Sequence, residues 1–200
     1  MAKNKNNNGK FSAILEAGIK IFAQQGYFQS TVAQIAREAG VADGTIYLYF
    51  KNKEDILATF VRQQTQEFFE AYRKKVAEVK HAVEKLRLLI RLHFEISQRD
   101  RNRALVYQVE MRRSDRLMKE DIRDALKTYH DVVGQIVEEG QQEGAIRHDL
   151  QPGMVKRMIF ASVDEVITTW VLGGGKYDLV SLADPLSDLF LRGIAADRPR

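Results

Sequence analysis

The sequence contains no cysteine and only three prolines among its 200 residues. The lack of cysteine excludes disulfide bonds and a thiol nucleophile, and it is consistent with a cytoplasmic protein. So few prolines favour long, uninterrupted helices. No run of 18 apolar residues occurs, so we expect no transmembrane helix and no membrane partner. Residues 1–10 carry lysines without an apolar stretch behind them, which predicts a flexible basic arm and not a signal peptide.

The charge is concentrated at the start of the chain. Residues 1–53 hold seven basic and three acidic side chains, which together account for the whole net charge of +4. A basic region of this kind is suited to the phosphates of DNA. Hydrophobic residues make up 44% of the chain, which is enough for a sizeable core.

Apolar residues recur at helical spacing throughout the chain, and no strand-like alternation is found. We therefore predict an all-α fold of about nine helices in two domains. The first, residues 1–52, is a three-helix DNA-binding domain that includes the basic arm. The second, residues 53–200, is a larger helical domain for ligand binding and dimerisation, entered through a long helix that begins near Lys53.

Residues 31–51 have the spacing of a helix-turn-helix, whose second helix lies in the DNA major groove. Ile35 and Ala39 share one helical face, and Gly40 can end that helix in the left-handed conformation. We expect Ser30 or Thr31 to cap the first helix and Asp43 to cap the second. The alternative is an ordinary helical hairpin.

The predicted DNA contacts lie on the exposed face of the second helix and around it. Thr45 and Tyr47 can form hydrogen bonds with phosphates or base edges, and Leu48 can contact a thymine methyl group. Small residues keep the helix close to the groove, and lysines follow where phosphates would flank it. The full predicted set is Thr31, Ala42, Gly44, Thr45, Tyr47, Leu48, Tyr49, Lys51 and Lys53.

The segment from Phe11 to Leu57 resembles the DNA-binding domain of TetR-family regulators. The resemblance is carried by residues 21–27, 31–36, 39–41 and, most specifically, by the run Tyr-Leu-Tyr-Phe-Lys-Asn-Lys-Glu at residues 47–54. It implies that Thr45, Tyr47, Tyr49 and Lys53 contact DNA, whereas Phe50 belongs to the core. Many family members have histidine at the position of Tyr49.

The last two predicted helices are more apolar than surface helices need to be. Paired with their copies, they would form a four-helix bundle across a two-fold axis, as the resemblance to TetR-like proteins also implies. Such a homodimer would place two recognition helices on a palindromic operator. The alternative is that both apolar faces belong to the core of one chain.

Arginines surround the predicted short helix after residue 100, at positions 99, 101, 103, 112, 113 and 116. They are either solvated helix ends or the mouth of a cavity for a phosphate-bearing ligand with a hydrocarbon tail. Residues 110–114, 159–171 and 176–179 resemble the acyl-CoA-responsive fatty-acid-degradation repressors within the TetR family. The predicted ligand-binding residues are Leu89, Leu92, Phe94, Arg103, Val106, Arg112, Met158 and Trp170.

The predicted function is therefore a dimeric repressor without cofactor, metal or catalytic residues, released from DNA by long-chain acyl-CoA. An enzyme is disfavoured because the four histidines lack ligand spacing and because Gly173-Gly174-Gly175 is not followed by a phosphate-loop lysine. A second alternative is a repressor that senses lipophilic cations through Glu95, Glu110, Asp164 and Trp170. A third is a DNA-binding protein without any effector.

Overall fold

A computed structural model of the chain describes residues 2–110 and 119–194. Those residues form nine α-helices and no β-strand, which confirms the predicted all-α fold. The helices are α1 Ala2–Gln25, α2 Val32–Ala39, α3 Asp43–Ile46, α4 Lys53–Val76, α5 Ala82–Arg99, α6 Arg101–Leu105, α7 Lys119–Gln142, α8 Pro152–Leu172 and α9 Ala183–Ile194. A π-helical turn, Val106–Glu110, follows α6, and a 3-10 turn, Val180–Leu182, precedes α9. Within the described ranges, no helix is both long and apolar enough to cross a bilayer.

The chain divides into two compact units. Unit 1 comprises Met1–Gln64 and Asn102–Arg123, and unit 2 comprises Thr65–Arg101 and Asp124–Arg200. Unit 1 therefore extends beyond the helix-turn-helix, because the first three turns of α4 and the π-helical turn contribute to its core. The predicted domain boundary between residues 52 and 53 does not coincide with the boundary between the two compact units. It divides the chain by function, and it stays a prediction.

The core of unit 1 is formed by the apolar faces of α1, α2, α3 and the start of α4. The side chains buried there include Ile14, Leu15, Ile19, Phe22, Ile35, Ile46, Phe50, Ile56, Leu57, Phe60 and Val106. Helices α1 and α4 approach closely at Gly18, where a Cβ atom would lie only 2.7 Å from Cγ2 of Ile56. Any larger side chain at position 18 would therefore separate the two helices.

Both ends of α2 are capped by residues that its sequence predicts. Of the two predicted caps, Thr31 is the one used: its hydroxyl accepts a hydrogen bond from the backbone of Gln34, whose side chain bonds back to the backbone of Thr31. Gly40 ends the helix with φ +67°, a conformation that glycine adopts without strain. This end turns the chain sharply towards α3.

Two local expectations differ from the structure. Residues 2–10, expected to form a flexible arm, continue α1 because nothing after Ala2 breaks the helix. The N-cap of α3 is Ala42, so the prediction of an Asp43 cap is wrong; Asp43 lies in the first turn, where its charge suits the helix dipole.

Unit 2 is built around α5. Between residues 83 and 96, only the side chain of Glu84 is exposed, so protein surrounds most of this helix. Its buried side chains meet those of α7, α8 and α9, including Val133, Val137, Ile159, Val163, Ile167, Trp170 and Leu191. Ion pairs at the edge of this core join Lys85 to Glu139 on α7 at 2.7 Å and Arg91 to Asp184 on α9 at 2.6 Å.

Candidate functional site

The recognition surface of unit 1 consists of Ala42, Gly44, Thr45, Tyr47 and Leu48. Tyr47 is 59% exposed and Leu48 is 79% exposed, so two large side chains lie next to each other on this surface. Nothing lies within 4 Å of a Cβ atom built on Gly44, so the backbone of α3 is open to a close approach. Ile46, fully buried between them, holds this surface on the core. The arrangement fits insertion into a groove.

Three further predicted DNA contacts flank this surface. Thr31 is exposed, and its hydroxyl also takes part in the cap of α2. Tyr49 is half-buried and packs against the unit 1 core, so only part of its ring is available. Lys51 is exposed, and its backbone N–H donates to the Asp55 carboxylate at 2.9 Å. Of these three, Lys51 offers the most accessible charge.

Lys53 differs from the expectation of a phosphate contact. Its ammonium donates to the carbonyl oxygens of Tyr27 at 2.8 Å and Ser30 at 2.9 Å, and it lies 4.3 Å from the centroid of the Tyr27 ring. Desolvation lowers the pKa of Lys53, an effect that neighbouring Glu54 partly offsets. The Lys53 side chain therefore links the start of α4 to the α1–α2 connection.

The predicted ligand-binding residues do not form one group. Leu89, Leu92, Phe94 and Trp170 are buried in unit 2, and the Trp170 indole donates to the carbonyl of Tyr177 at 2.8 Å. Val106 is buried in the core of unit 1. Met158 is 56% exposed on α8, so its placement in an interior site is wrong. Arg112 lies outside the described residues.

Two of the arginines near α6, Arg101 and Arg103, have partners within the protein. Arg103 donates to Glu16 at 2.7 Å and to Gln64 at 3.2 Å, and its guanidinium lies 5.2 Å from the Phe60 ring centroid. Arg101 donates twice to the carbonyl of Val171, at 2.8 and 3.1 Å, at the end of α8. These contacts join helices within each unit and do not support a free arginine cluster for phosphates at these two positions.

Unit 2 contains a group of buried polar atoms that the sequence analysis missed. They are Nδ1 of His93, the hydroxyl of Tyr129, Nε2 of His130 and the hydroxyl of Thr168, and none has a hydrogen-bond partner among the described residues. We call these four residues the polar cluster. Buried polar groups are bonded in the great majority of cases, and each unpaired one disfavours folding by about 1–3 kcal/mol. The cluster therefore suggests a place for water or a ligand.

Aromatic rings connect three members of the polar cluster. The His93 ring lies 4.9 Å from that of Phe68 on α4 and 5.5 Å from that of Tyr129. Phe160 on α8 lies 5.3 Å from Tyr129 and 5.2 Å from His130. Thr168 follows Phe160 by eight residues, which places it about 12 Å further along α8. Four helices thus contribute to one region of unit 2.

The environment of the polar cluster favours neutral groups. The His93 ring keeps some accessible surface, but its Nδ1 atom is buried, and desolvation lowers the pKa of His93 to about 4. Burial, with a smaller contribution from Asp164, raises the pKa of Tyr129. The pKa of His130 is lowered by desolvation and, to a smaller extent, by Lys156 and Arg157. At neutral pH the cluster offers hydroxyls and uncharged imidazoles.

A sequence signal for the cluster exists, although it is weak. His93 interrupts an otherwise apolar helical face, and Tyr129 lies in the apolar stripe of α7. A polar residue on a core face is more often a locally satisfied group than part of a site, so the pattern alone does not separate the two possibilities. The contact between helices distant in sequence is what identifies the cluster.

Comparisons with known proteins give consistent results for both parts of the chain. The family model of bacterial regulatory proteins of the tetR family matches residues 14–59, and the model of the C-terminal region of YsiA-like proteins matches residues 61–193. The fatty acid metabolism regulator protein of Bacillus subtilis is 42% identical over 95% of this chain and 98% of its own length.

Solved structures agree with these matches. A transcriptional regulator FadR from Bacillus subtilis, crystallised in complex with stearoyl-CoA, has a TM-score of 0.86 at 42% identity and covers 92% of this chain and 99% of its own. The fatty acid degradation regulator FadR from Bacillus halodurans has a TM-score of 0.87 at 38% identity, covering 92% of this chain and 95% of its own.

The two lysines near α4 are expected to affect DNA binding differently. Lys51→Ala should reduce the slope of log affinity against log salt concentration by about 0.9 for each bound subunit, because each subunit loses one phosphate contact. Lys53→Met should leave that slope unchanged and lower stability by about 1 kcal/mol or more, because buried carbonyls lose a charged donor. Binding to a fixed duplex between 50 and 200 mM salt, with thermal melting, measures both. An equal loss of slope in Lys53→Met would contradict the structural role.

Histidine 93 is expected to make stability depend on pH. In the unfolded chain His93 binds a proton near pH 6.5, whereas in the folded protein it does so only near pH 4. The free energy of unfolding therefore falls as the pH decreases through this window. We expect His93 to contribute a loss of about 2 kcal/mol between pH 7 and pH 5. Urea unfolding of the full chain should show a smaller pH effect in His93→Phe than in the wild type. The exposed His148→Gln serves as control, and equal pH effects in both variants would rule out this role.

Proposed function

The chain belongs to the TetR family of bacterial regulatory proteins, and from that premise we propose that it is a dimeric repressor released from DNA by long-chain acyl-CoA. The observation that carries the DNA-binding part is the open recognition surface around α3. The effector part rests on the similarity to a regulator that was crystallised with stearoyl-CoA. The regulated genes would then serve fatty-acid degradation, and a cytoplasmic location remains a prediction.

DNA contact would be made by α3 and the residues next to it. Gly44 and Ala42 allow the backbone to approach the groove, and Tyr47 and Leu48 are exposed enough to reach base edges. Lys51 would contact a flanking phosphate. Lys53 would support this surface from behind by holding the α1–α2 connection in place. Phosphate contacts position the protein and base contacts provide sequence specificity.

Dimerisation would use an apolar stripe on α8 together with α9. Met154, Met158 and Leu172 on α8 are 55%, 56% and 64% exposed, and Leu189 on α9 is 71% exposed. Met154, Met158, Ala161 and Leu172 recur at spacings of four, three and eleven residues, which places them on one side of α8 together with the exposed Glu165. An exposed stripe of this kind is typical of a helix that packs against a second copy.

The two functions would be coupled through α4. This helix is unbroken from Lys53 to Val76; its early side chains Ile56 and Phe60 are buried in the core of unit 1. Later in the same helix, Phe68 lies against His93 of the polar cluster in unit 2. An effector weakens DNA binding only if it prefers a conformation that fits DNA poorly. A shift of α4 on effector binding would change the position of the recognition surface.

The lipophilic-cation alternative has less support. The Glu95 carboxylate is paired with Lys75 at 3.0 Å, and Trp170 is only 3% exposed with its indole N–H bonded. The Glu95 carboxylate is therefore already paired with a cation, and the Trp170 ring is enclosed by protein. The side chain of Glu110 lies outside the described part of the structure. The Asp164 carboxylate acts on Tyr129 within unit 2.

Titration of the protein–DNA complex with effectors tests the proposal. We expect stearoyl-CoA to weaken binding to a duplex selected by the full-length protein by about 5- to 150-fold, the usual range of such coupling. Coenzyme A alone and tetraphenylphosphonium serve as the controls for the headgroup and for a lipophilic cation. Unchanged DNA affinity, at stearoyl-CoA concentrations that saturate the protein by calorimetry, would disprove the effector assignment.

The dimer is tested by introducing a charge into the exposed stripe. Met158→Lys should produce monomers, because the apolar contact cannot accommodate an unpaired ammonium group. The same substitution at Gln135, which is exposed on α7, is the matched control and should leave the dimer intact. Sedimentation velocity gives the oligomeric state, and the selected duplex gives DNA affinity. A Met158→Lys protein that remains dimeric would place the interface elsewhere.

A further inference from the structure

The carboxylate of Asp43 is not used by the fold. Asp43 is exposed at the first residue of α3, where its charge suits the helix dipole, but the N-cap of that helix is Ala42. Among the described residues, the Asp43 side chain forms no hydrogen bond and no ion pair. Its negative charge is therefore available to a partner outside the chain.

The position of Asp43 places it within the recognition surface. Its sequence neighbours Ala42 and Gly44 both belong to that surface, and Tyr47, four residues later on the same helical face, is 59% exposed. In helix-turn-helix proteins the N-terminal residues of the recognition helix contact base edges. We therefore expect Asp43 to face the base pairs when α3 lies in the groove.

A carboxylate at this place has a marked effect because the rest of the surface carries no charge. Residues 42–48 contain no arginine, lysine, asparagine or glutamine, the side chains that bind guanine or adenine through two hydrogen bonds. Asp43 is the one charged residue of this segment, and its sign is that of the phosphates. Phosphates on both sides of the groove repel it, so it favours binding only where a base offers a hydrogen-bond donor.

The chemistry of the base edges selects one donor. In the major groove cytosine presents its N4 amino group as a donor and no acceptor, whereas adenine places the acceptor N7 beside its donor N6. An ionised carboxylate accepts hydrogen bonds and donates none. Cytosine is therefore the base that pairs with a carboxylate without also presenting an acceptor to it.

We propose that Asp43 accepts a hydrogen bond from N4 of one cytosine in each operator half-site and disfavours every other base at that position. This inference rests on the proposed contact of α3 with DNA. Because the same carboxylate is repelled by DNA that lacks this cytosine, Asp43 increases specificity at the expense of general affinity.

Systematic base substitution in the operator provides the test. The wild type first selects a duplex from a random library, and each base pair of that duplex is then replaced in turn, with fluorescence anisotropy measuring affinity at fixed salt. We expect one position in each half-site at which replacing cytosine weakens binding about fivefold or more. In Asp43→Ala the preference at that position should disappear, while preferences at the other positions remain.

Asp43→Asn gives a sharper outcome, because a carboxamide both donates and accepts and so matches N7 and N6 of adenine. We expect this variant to prefer adenine at the position where the wild type prefers cytosine. Asp43→Ala should also bind a scrambled duplex more tightly than the wild type does, because an anionic group is removed from the groove. Equal or weaker binding to the scrambled duplex would contradict the repulsive role.

Glu38→Gln is the matched control. It removes the same charge from unit 1, but the Glu38 carboxylate already pairs with Lys20 at 2.5 Å. Its base preferences should equal those of the wild type. Thermal melting checks folding, and if Asp43→Ala does not fold, Asp43→Asn, which keeps the shape of the side chain, decides the outcome.

The outcomes separate this inference from the proposed contact of α3 with DNA. Base preferences that are the same in the wild type, Asp43→Asn and Asp43→Ala would overturn the role of Asp43 while leaving that contact intact. Loss of a preference for a base other than cytosine would overturn the assignment of cytosine. A wild type that selects no sequence from the library would overturn the α3 contact and this inference together.

Discussion

The contact of the Lys53 ammonium with the carbonyls of Tyr27 and Ser30 is the constraint on which the DNA-binding unit depends. Both carbonyls lie in the connection between α1 and α2, and that of Tyr27 also accepts from the backbone N–H of Ser30 at 3.2 Å. The residue after Ser30 is the cap of α2, so the contact fixes the point from which α2 and then α3 start. Because Lys53 is also the first residue of α4, one side chain sets the recognition surface relative to the helix that continues into unit 2.

The architecture of unit 1 was predictable because its rules are local. The cap at Thr31, the left-handed end at Gly40 and the burial of Ile46 each follow from a residue type at a particular position. The role of Lys53 was not predictable in the same way. Its spacing after the recognition helix suits a phosphate, but the backbone acceptors that bind it come from 23 and 26 residues earlier in the chain. Sequence spacing does not reveal such competing partners.

The interior of unit 2 was predictable only as a core. Helical periodicity identified the buried face that includes Leu89, but it could not separate a face that packs from a face that binds. It therefore placed Met158 inside, although that residue lies on the exposed side of α8, and it left His93 and Tyr129 unassigned. Both errors have the same cause. An apolar stripe shows that one face of a helix is hydrophobic, but which residues contact that face depends on how four helices pack.

The polar cluster also bears on how a bound effector could act at a distance. Without a ligand, the unpaired atoms around Tyr129 make this arrangement of unit 2 less stable than an equivalent apolar core. A ligand that pairs some of them would stabilise this arrangement of unit 2, and the size of that effect would depend on the arrangement. Such differential stabilisation is what allows a ligand to shift a conformational equilibrium. Because Phe68 of α4 contacts His93, the helix shared by both units is part of what the ligand would select.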